Sequence, residues 1–192
     1  MTGIIILAAG ASTRLGRAKQ TVPYKDSTLL KHTIKAALDA VLGPVIVVTG
    51  ANEEEITADI EQEPVTVVFN RHHQEGIASS IKAGIEAVQQ QHGDCENIIL
   101  MVCDQPHVNK DILQRLVAVS DGNNKPIAAS IYKDTIGVPA LFHTSFFPDL
   151  LSLEGDEGGK KILLKYRSSV ATVSFPSGEI DIDTPGDLDA LQ

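Results

Sequence analysis

Cysteine is scarce in this chain. Only Cys95 and Cys103 occur in 192 residues, and their spacing makes neither a C-x-x-C pair nor a disulfide framework. A disulfide-stapled secreted scaffold is excluded, and a reducing, cytoplasmic setting is expected. Cations are also in short supply: 16 Lys and Arg stand against 25 Asp and Glu, a net charge of -9. That balance argues against a broad footprint for nucleic acid or an anionic membrane, so neither is expected as a partner. No apolar run approaches the roughly 20 residues of a membrane span. The opening run Ile4 to Leu7 has no basic n-region or cleavage site around it, and it reads as a buried strand. Internal repeats are absent, and the one biased tract, Gln89-Gln90-Gln91, is too short to matter.

What is present is a series of runs rich in Val and Ile, at 4 to 7, 45 to 48, 65 to 69, 98 to 103, 127 to 132 and 170 to 175. Continuous apolar runs imply burial on both faces, the mark of a mostly parallel sheet between helices. Between the runs, Leu30, Ile34, Ala37, Leu38 and Val41 recur at helical spacing, as do Ile81, Ile85 and Val88, and then Ile112, Leu113, Leu116 and Val117. Helices are predicted over 28 to 41, 79 to 91 and 110 to 119, the last capped by Asn109. The length suits a single domain over 1 to 192. The predicted fold class is α/β: a Rossmann-like, mostly parallel sheet with helices on both faces. Ligands of such sheets sit outside the carboxyl ends of the strands. Three segments lie there: 8 to 19, 70 to 80 and 104 to 106.

The first of these runs Leu7-Ala8-Ala9-Gly10-Ala11-Ser12-Thr13-Arg14-Leu15-Gly16-Arg17-Ala18-Lys19-Gln20. Small residues let backbone N–H groups approach an anion, and Arg14 and Lys19 can neutralise phosphate charge. An ordinary strand-to-helix loop with solvated bases is the competing reading. The segment fits neither G-x-G-x-x-G nor G-x-x-x-x-G-K-[ST], which disfavours a dinucleotide dehydrogenase or a P-loop kinase. Asp104 ends an apolar run before Gln105-Pro106, where it serves either as a turn residue or as a metal ligand. Asp181 and Asp183 alternate with Ile180 and Ile182 ahead of a helix start at Thr184-Pro185-Gly186-Asp187. Asp183 is the candidate ligand there, and Asp187 reads as a capping acid. Magnesium takes one or two protein carboxylates together with substrate phosphates, so Asp104 and Asp183 suffice, and manganese accepts the same oxygen ligands. The six histidines lack metal-site spacing and read as surface or core residues. Cys103, inside an apolar run, reads as a buried inert thiol. Gly76 to Ser80 enters a helix, where N–H groups with Ser79 and Ser80 can hold a base or phosphate or simply cap the helix.

Taken in order, Leu7-Ala8-Ala9-Gly10-x-Ser12-x-Arg14-x-Gly16-x-x-Lys19-Gln20, Gly76-x-x-x-Ser80-Ile81, Cys103-Asp104-Gln105-Pro106 and Asp181-Ile182-Asp183-Thr184-Pro185 resemble the MobA-like nucleotidyltransferases. Within them the chain is most similar to molybdenum cofactor cytidylyltransferases. The resemblance implies transfer of a nucleoside monophosphate from a nucleoside triphosphate to a phosphorylated acceptor, with release of pyrophosphate. It implies that Leu7, Ala8, Ala9, Gly10, Gly76 and Ser80 embrace the nucleoside, Arg14 and Lys19 the phosphates, and Asp104 and Asp183 a Mg2+ or Mn2+ ion. Ala9-Gly10, where guanylyl relatives carry Gly-Gly, favours CTP. Molybdopterin is the implied acceptor and a molybdoenzyme an implied partner.

Two features depart from that pattern. Gly137-Val138-Pro139 stands where a Gly-His-Pro is expected, and an aromatic residue expected after Asn70 is replaced, with Gln74 in that loop. Lys160 and Lys161, after Gly155-Asp156-Glu157-Gly158-Gly159, either meet an acceptor phosphate or lie on a loop leading into a helix at 160 to 167. A transferase for sugar phosphates or other small metabolites and a non-catalytic carrier of nucleotide or cofactor are the alternatives. Two separate carboxylates favour catalysis over carriage.

Overall fold

The computed structural model describes residues 1 to 11, 18 to 182, 186 and 187. Its strands and helices in chain order are β1 (Thr2–Leu7), β2 (Pro23–Tyr24), β3 (Ser27–Thr28), α1 (Leu29–Asp39), β4 (Val45–Thr49), α2 (Glu53–Asp59), β5 (Thr66–Phe69), α3 (Ile77–Gln91), β6 (Asn97–Val102), α4 (Lys110–Gly122), β7 (Ile127–Tyr132), β8 (Thr135–His143), α5 (Phe147–Leu151), α6 (Gly159–Lys165) and β9 (Val170–Ser174). Seven of these strands form one sheet in the order β5-β4-β1-β6-β8-β7-β9, and β2 and β3 form a separate small hairpin. β8 alone runs against its neighbours, pairing antiparallel with both β6 and β7. All other pairings in the sheet are parallel.

Strand alternation divides the core in two. Ile4, Ile6 and Ala8 point to the face covered by α1 and α4, with Leu30, Ile34, Leu113 and Leu116. Ile5 and Leu7 point to the face covered by α3, α5 and α6, with Ile81, Ile85, Leu150 and Leu163. Burial on both sides is why β1 reads as an unbroken apolar run. The expected cap of α4 is present: Asn109 Oδ1 accepts the N–H of Ile112 at 3.1 Å.

The structure differs from the sequence reading at three places. α2 carries little apolar periodicity, burying Ile56 alone; its Glu53-Glu54-Glu55 start instead complements the positive end of the helix dipole. Asp59 fastens it to α1 through Thr28 Oγ1 at 2.7 Å and Lys31 Nζ at 2.9 Å. The 65 to 69 run was expected to be buried on both faces. It lies at the sheet edge, leaving Val67 36% and Phe69 48% exposed, because α2 is too short to cover it. β8, finally, carries Pro139 in its interior, which argues against a central strand in a sequence. Its pairing with β7 shifts register at Ala129/Ser130, and Ser130 Oγ donates to the Pro139 carbonyl at 2.9 Å. The turn between them places Lys133 and Asp134 at φ of 46° and 58°, a tight hairpin without the usual glycine. Among the described residues no helix is long and apolar enough to cross a membrane.

Candidate active site

In the sheet, β4 lies on one side of β1 and β6 on the other, so the chain reverses its direction of progress between β1 and β6. At such a point the loops after neighbouring strands part and leave a crevice at their carboxyl ends. A cavity of about 320 Å³ opens there, bordered by the ends of β1 and β6, the start of α3 and the loop before α6.

One wall is the turn after β1. Leu7, Ala9 and Gly10 border the cavity. Gln20, only 1% exposed, pins this turn by donating Nε2 to the carbonyls of Ala8 at 2.7 Å and Gly10 at 3.0 Å. Ala8 itself does not face the cavity. Its methyl is in the core, its N–H bonds Val48 O at 2.9 Å and its carbonyl is held by Gln20, so it shapes the turn and leaves no donor for a ligand.

The second wall is built on Asn70, a buried residue at the end of β5. Its amide donates to Ser79 Oγ at 2.8 Å and Ser80 Oγ at 3.0 Å, and its Oδ1 accepts the N–H of His72 at 2.9 Å. Gly76 and Ser80 both border the cavity. Gly76 adopts φ 97°, and a Cβ there would stand 2.3 Å from the carbonyl carbon and oxygen of Gly155. Only glycine lets the loop before α6 lie against the start of α3, where the Ala78 N–H bonds Gly155 O at 3.0 Å. That contact brings Asp156 to the cavity rim.

The floor is the turn after β6. Asp104 Oδ2 accepts from Lys19 Nζ at 2.8 Å, with both side chains largely shielded. The acid expected at the metal and the lysine expected at the phosphates thus meet each other across 85 residues of chain. The turn is held from below by His32, whose Nε2 lies 3.1 Å from Pro106 O. Burial, with Lys25 nearby, holds His32 below its usual range, so near neutral pH the ring is uncharged and Nε2 carries the proton the carbonyl accepts. The C-terminal segment is tied to the same turn by Ile182 N–H to Asp104 O at 3.0 Å and by Gln105 Nε2 to Gly178 O at 2.8 Å. Arg14 and Asp183 lie outside the described residues.

Cys103 also borders the cavity but is 4% exposed, and burial, seconded by the Asp104 charge, pushes its thiol up to about 12. The expectation of an inert thiol follows physically, because the thiolate is the reactive form. Native protein treated with iodoacetamide at pH 8 is expected to leave Cys103 unmodified until denaturant is added; rapid labelling of the native protein would contradict this.

Two further residues reach the cavity, His73 and Asp156. His73, expected among the surface or core histidines, borders the cavity. It is placed there by Gly50, whose missing side chain lets His73 and Ala9 close in; a Cβ on Gly50 would be 2.5 Å and 2.8 Å from their Cβ atoms. Asp156 lines the cavity, and neither Lys160 nor Lys161 does; Lys161 pairs with Glu157, two residues ahead of α6, and the loop leads into that helix. Sequence offered one signal for His73, its position inside the 70 to 80 segment.

A mostly parallel α/β sheet with a site at this switch point, walled by a small-residue turn and a lysine, is the nucleotide-diphospho-sugar transferase fold. The chain belongs to the MobA-like NTP transferase domain family, whose model matches residues 4–170, and it is a nucleotidyltransferase of that family. The purine catabolism protein PucB of Bacillus subtilis is 29% identical, with 98% of this chain and 94% of the relative covered. The molybdenum cofactor cytidylyltransferase of Escherichia coli is 29% identical over 96% of this chain and 92% of its own. A protein named nicotine blue oxidoreductase, from Paenarthrobacter nicotinovorans, is 28% identical over 96% and 92%. Among solved structures, Rv0371c of Mycobacterium tuberculosis superposes with a TM-score of 0.85 at 30% identity, covering 99% of this chain and 96% of that one.

Proposed function

We propose that residues 1 to 192 act as one domain that transfers a nucleoside monophosphate, from CTP by preference, to the phosphate of a molybdopterin-type acceptor and releases pyrophosphate. The observation that carries this reading is the bond from Ile182 N–H to Asp104 O, because it ties the segment leading to Asp183 to the turn holding Asp104 beside Lys19. The donor chemistry fits a hard divalent cation, since carboxylates at the mouth of a phosphate site are what Mg2+ or Mn2+ takes. A manganese complex of the mycobacterial relative, 28% identical with a TM-score of 0.80, supports a divalent ion here. Support for CTP comes from Ala9-Gly10 and from the cytidylyltransferase relative.

An acceptor phosphate oxygen attacks the α-phosphorus in line, a new P–O bond forms, and the bond to the β-phosphate oxygen breaks with its electron pair leaving on pyrophosphate. The nucleotide is held between the Leu7-to-Gly10 turn and the Gly76-to-Ser80 helix start, which fixes the line of attack. The ammonium of Lys19, with three donors, can keep Asp104 and meet a phosphate oxygen, while Arg14 offers a planar fork. A bound divalent ion would neutralise charge on the triphosphate. The attacking phosphate is already ionised near neutral pH, so no protein base is required.

The test offers each of CTP, GTP, ATP and UTP with Mg2+ or Mn2+ and either molybdenum cofactor or a sugar phosphate, and measures pyrophosphate. Release with CTP and cofactor is expected; release with sugar phosphates alone would replace the acceptor, and none in any combination would leave a binding protein. Lys19→Ala is expected to reduce kcat/KM by about 10- to 100-fold, the worth of one charge-assisted hydrogen bond. Unchanged kinetics would remove Lys19 from the phosphate site.

A further inference from the structure

The β2–β3 hairpin sits apart from both main cores, yet it builds a small hydrophobic cluster of its own from Val22, Tyr24, Leu29 and Ile182. Val22 and Tyr24 come from the segment between Lys19 and α1, Leu29 is the first residue of α1, and Ile182 comes from the far end of the chain. Ile182 is 0% exposed there. Its neighbours in space connect the two sides of the floor. Its own N–H bonds Asp104 O at 3.0 Å. Tyr24, a member of the same cluster, meets the His32 ring edge-on, with centroids 4.9 Å apart, and His32 Nε2 in turn donates to Pro106 O at 3.1 Å. The contacts thus form a closed circuit: Asp104 turn, Ile182, the cluster it shares with Tyr24, His32 and back to the same turn through Pro106.

Such a circuit has a mechanical consequence. An aliphatic side chain sunk in a socket cannot slide along the chain axis without opening the socket, and here the residue that follows it is Asp183. The Asp104 side of the turn is restrained by His32 and by Gln105 Nε2 to Gly178 O at 2.8 Å. From these contacts we infer that Tyr24 and Ile182 are positioning residues, belonging to a socket that fixes Ile182 against the Asp104 turn and thereby sets the affinity for the divalent cation. The inference rests on reading Asp104 and Asp183 as the cation's carboxylates. Neither Tyr24 nor Ile182 touches the cavity, so their effect reaches the cation only through the backbone they hold.

The probe is Mn2+ itself, bound in the presence of a non-hydrolysable CTP analogue and followed by electron paramagnetic resonance. Ile182→Ala and Tyr24→Leu are expected to weaken Mn2+ binding by about 10- to 100-fold, as changes behind a metal ligand do. Saturating Mn2+ is expected to restore kcat, and the KM for nucleotide at saturating Mn2+ stays within about twofold of wild type, as does nucleotide binding without metal. The conservative Ile182→Val and Tyr24→Phe, which keep the socket filled, bind Mn2+ as the wild type does. His32→Gln supplies a third, milder opening should Ile182→Ala fail to fold. Wild-type Mn2+ affinity in the folded Tyr24→Leu and Ile182→Ala proteins, or a kcat loss that saturating Mn2+ does not restore, would overturn the socket. Asp104→Asn separates the two readings. If that variant keeps full Mn2+ affinity, the carboxylate site itself falls, and the socket with it; if it loses affinity while the socket variants do not, only the socket falls.

Discussion

Asp104→Asn is expected to lower kcat/KM by about 10³-fold or more, because a carboxylate that holds a divalent ion at a triphosphate supports several kilocalories of transition-state charge stabilisation. Asparagine keeps the size of the side chain, and its amide oxygen can still accept from Lys19, which now stands 2.8 Å from Asp104 Oδ2. The backbone carbonyl of residue 104, which receives the Ile182 N–H, is untouched by the change. The fold is therefore expected to persist, and the circular dichroism spectrum and refolding behaviour should match the wild type. The loss should fall on kcat and on metal dependence more than on nucleotide binding measured without metal. A variant turning over within a few-fold of wild type would show that Asp104 is only a turn residue paired with a lysine.

Gly76→Ala should be the most damaging single methyl in the described chain for stability. Two penalties act together there. The backbone at φ 97° is one that side-chain-bearing residues rarely adopt, and the new Cβ would meet the Gly155 carbonyl carbon and oxygen at 2.3 Å and the Asp156 nitrogen at 2.8 Å. Those are backbone atoms, so no rotamer change relieves the clash. Strain of this kind amounts to roughly 2 to 4 kcal/mol, a fall in melting temperature of about 5 to 15 °C for a chain of this size. The displaced loop also carries Asp156 away from the cavity rim, so nucleotide or acceptor KM is expected to rise as well. Gly122→Ala, in the last turn of α4 with nothing within 4 Å, is the control and should change the melting temperature little. Equal melting temperatures for the two variants would mean that the crossing of Gly76 and Gly155 is not a fixed feature of the fold.

The six apolar runs are strands and the three periodic segments are helices, with α3 beginning two residues earlier than its apolar spacing suggests. Apart from β5, those elements were readable because each buries a whole face, which a run of Val and Ile or a helical stripe records directly. β8 was hidden by its internal Pro139 and by a turn without glycine, and α2 by having one buried residue to show. At the site, the segments bordering the crevice were legible from the rule that loops after parallel strands carry ligands. Which side chains face it was less so. Ala8 and Ala9 are adjacent and alike, yet strand alternation sends the first into the core and the second to the cavity. Gln20 reads as one more polar residue until its amide is found on two carbonyls of the turn.

From its residues alone the chain declares a reducing-type composition, a mostly parallel α/β sheet, the segments at the ends of β1, β5 and β6, and the motif order of a MobA-like nucleotidyltransferase. These follow from local periodicity and spacing, which are written along the chain. The pairing of Lys19 with Asp104, the entry of His73 and Asp156 into the cavity, and the seating of Ile182 against the hairpin were decided only in three dimensions. Each joins residues tens of positions apart, and contact between distant residues depends on how strands are ordered and loops are crossed, which no local pattern encodes.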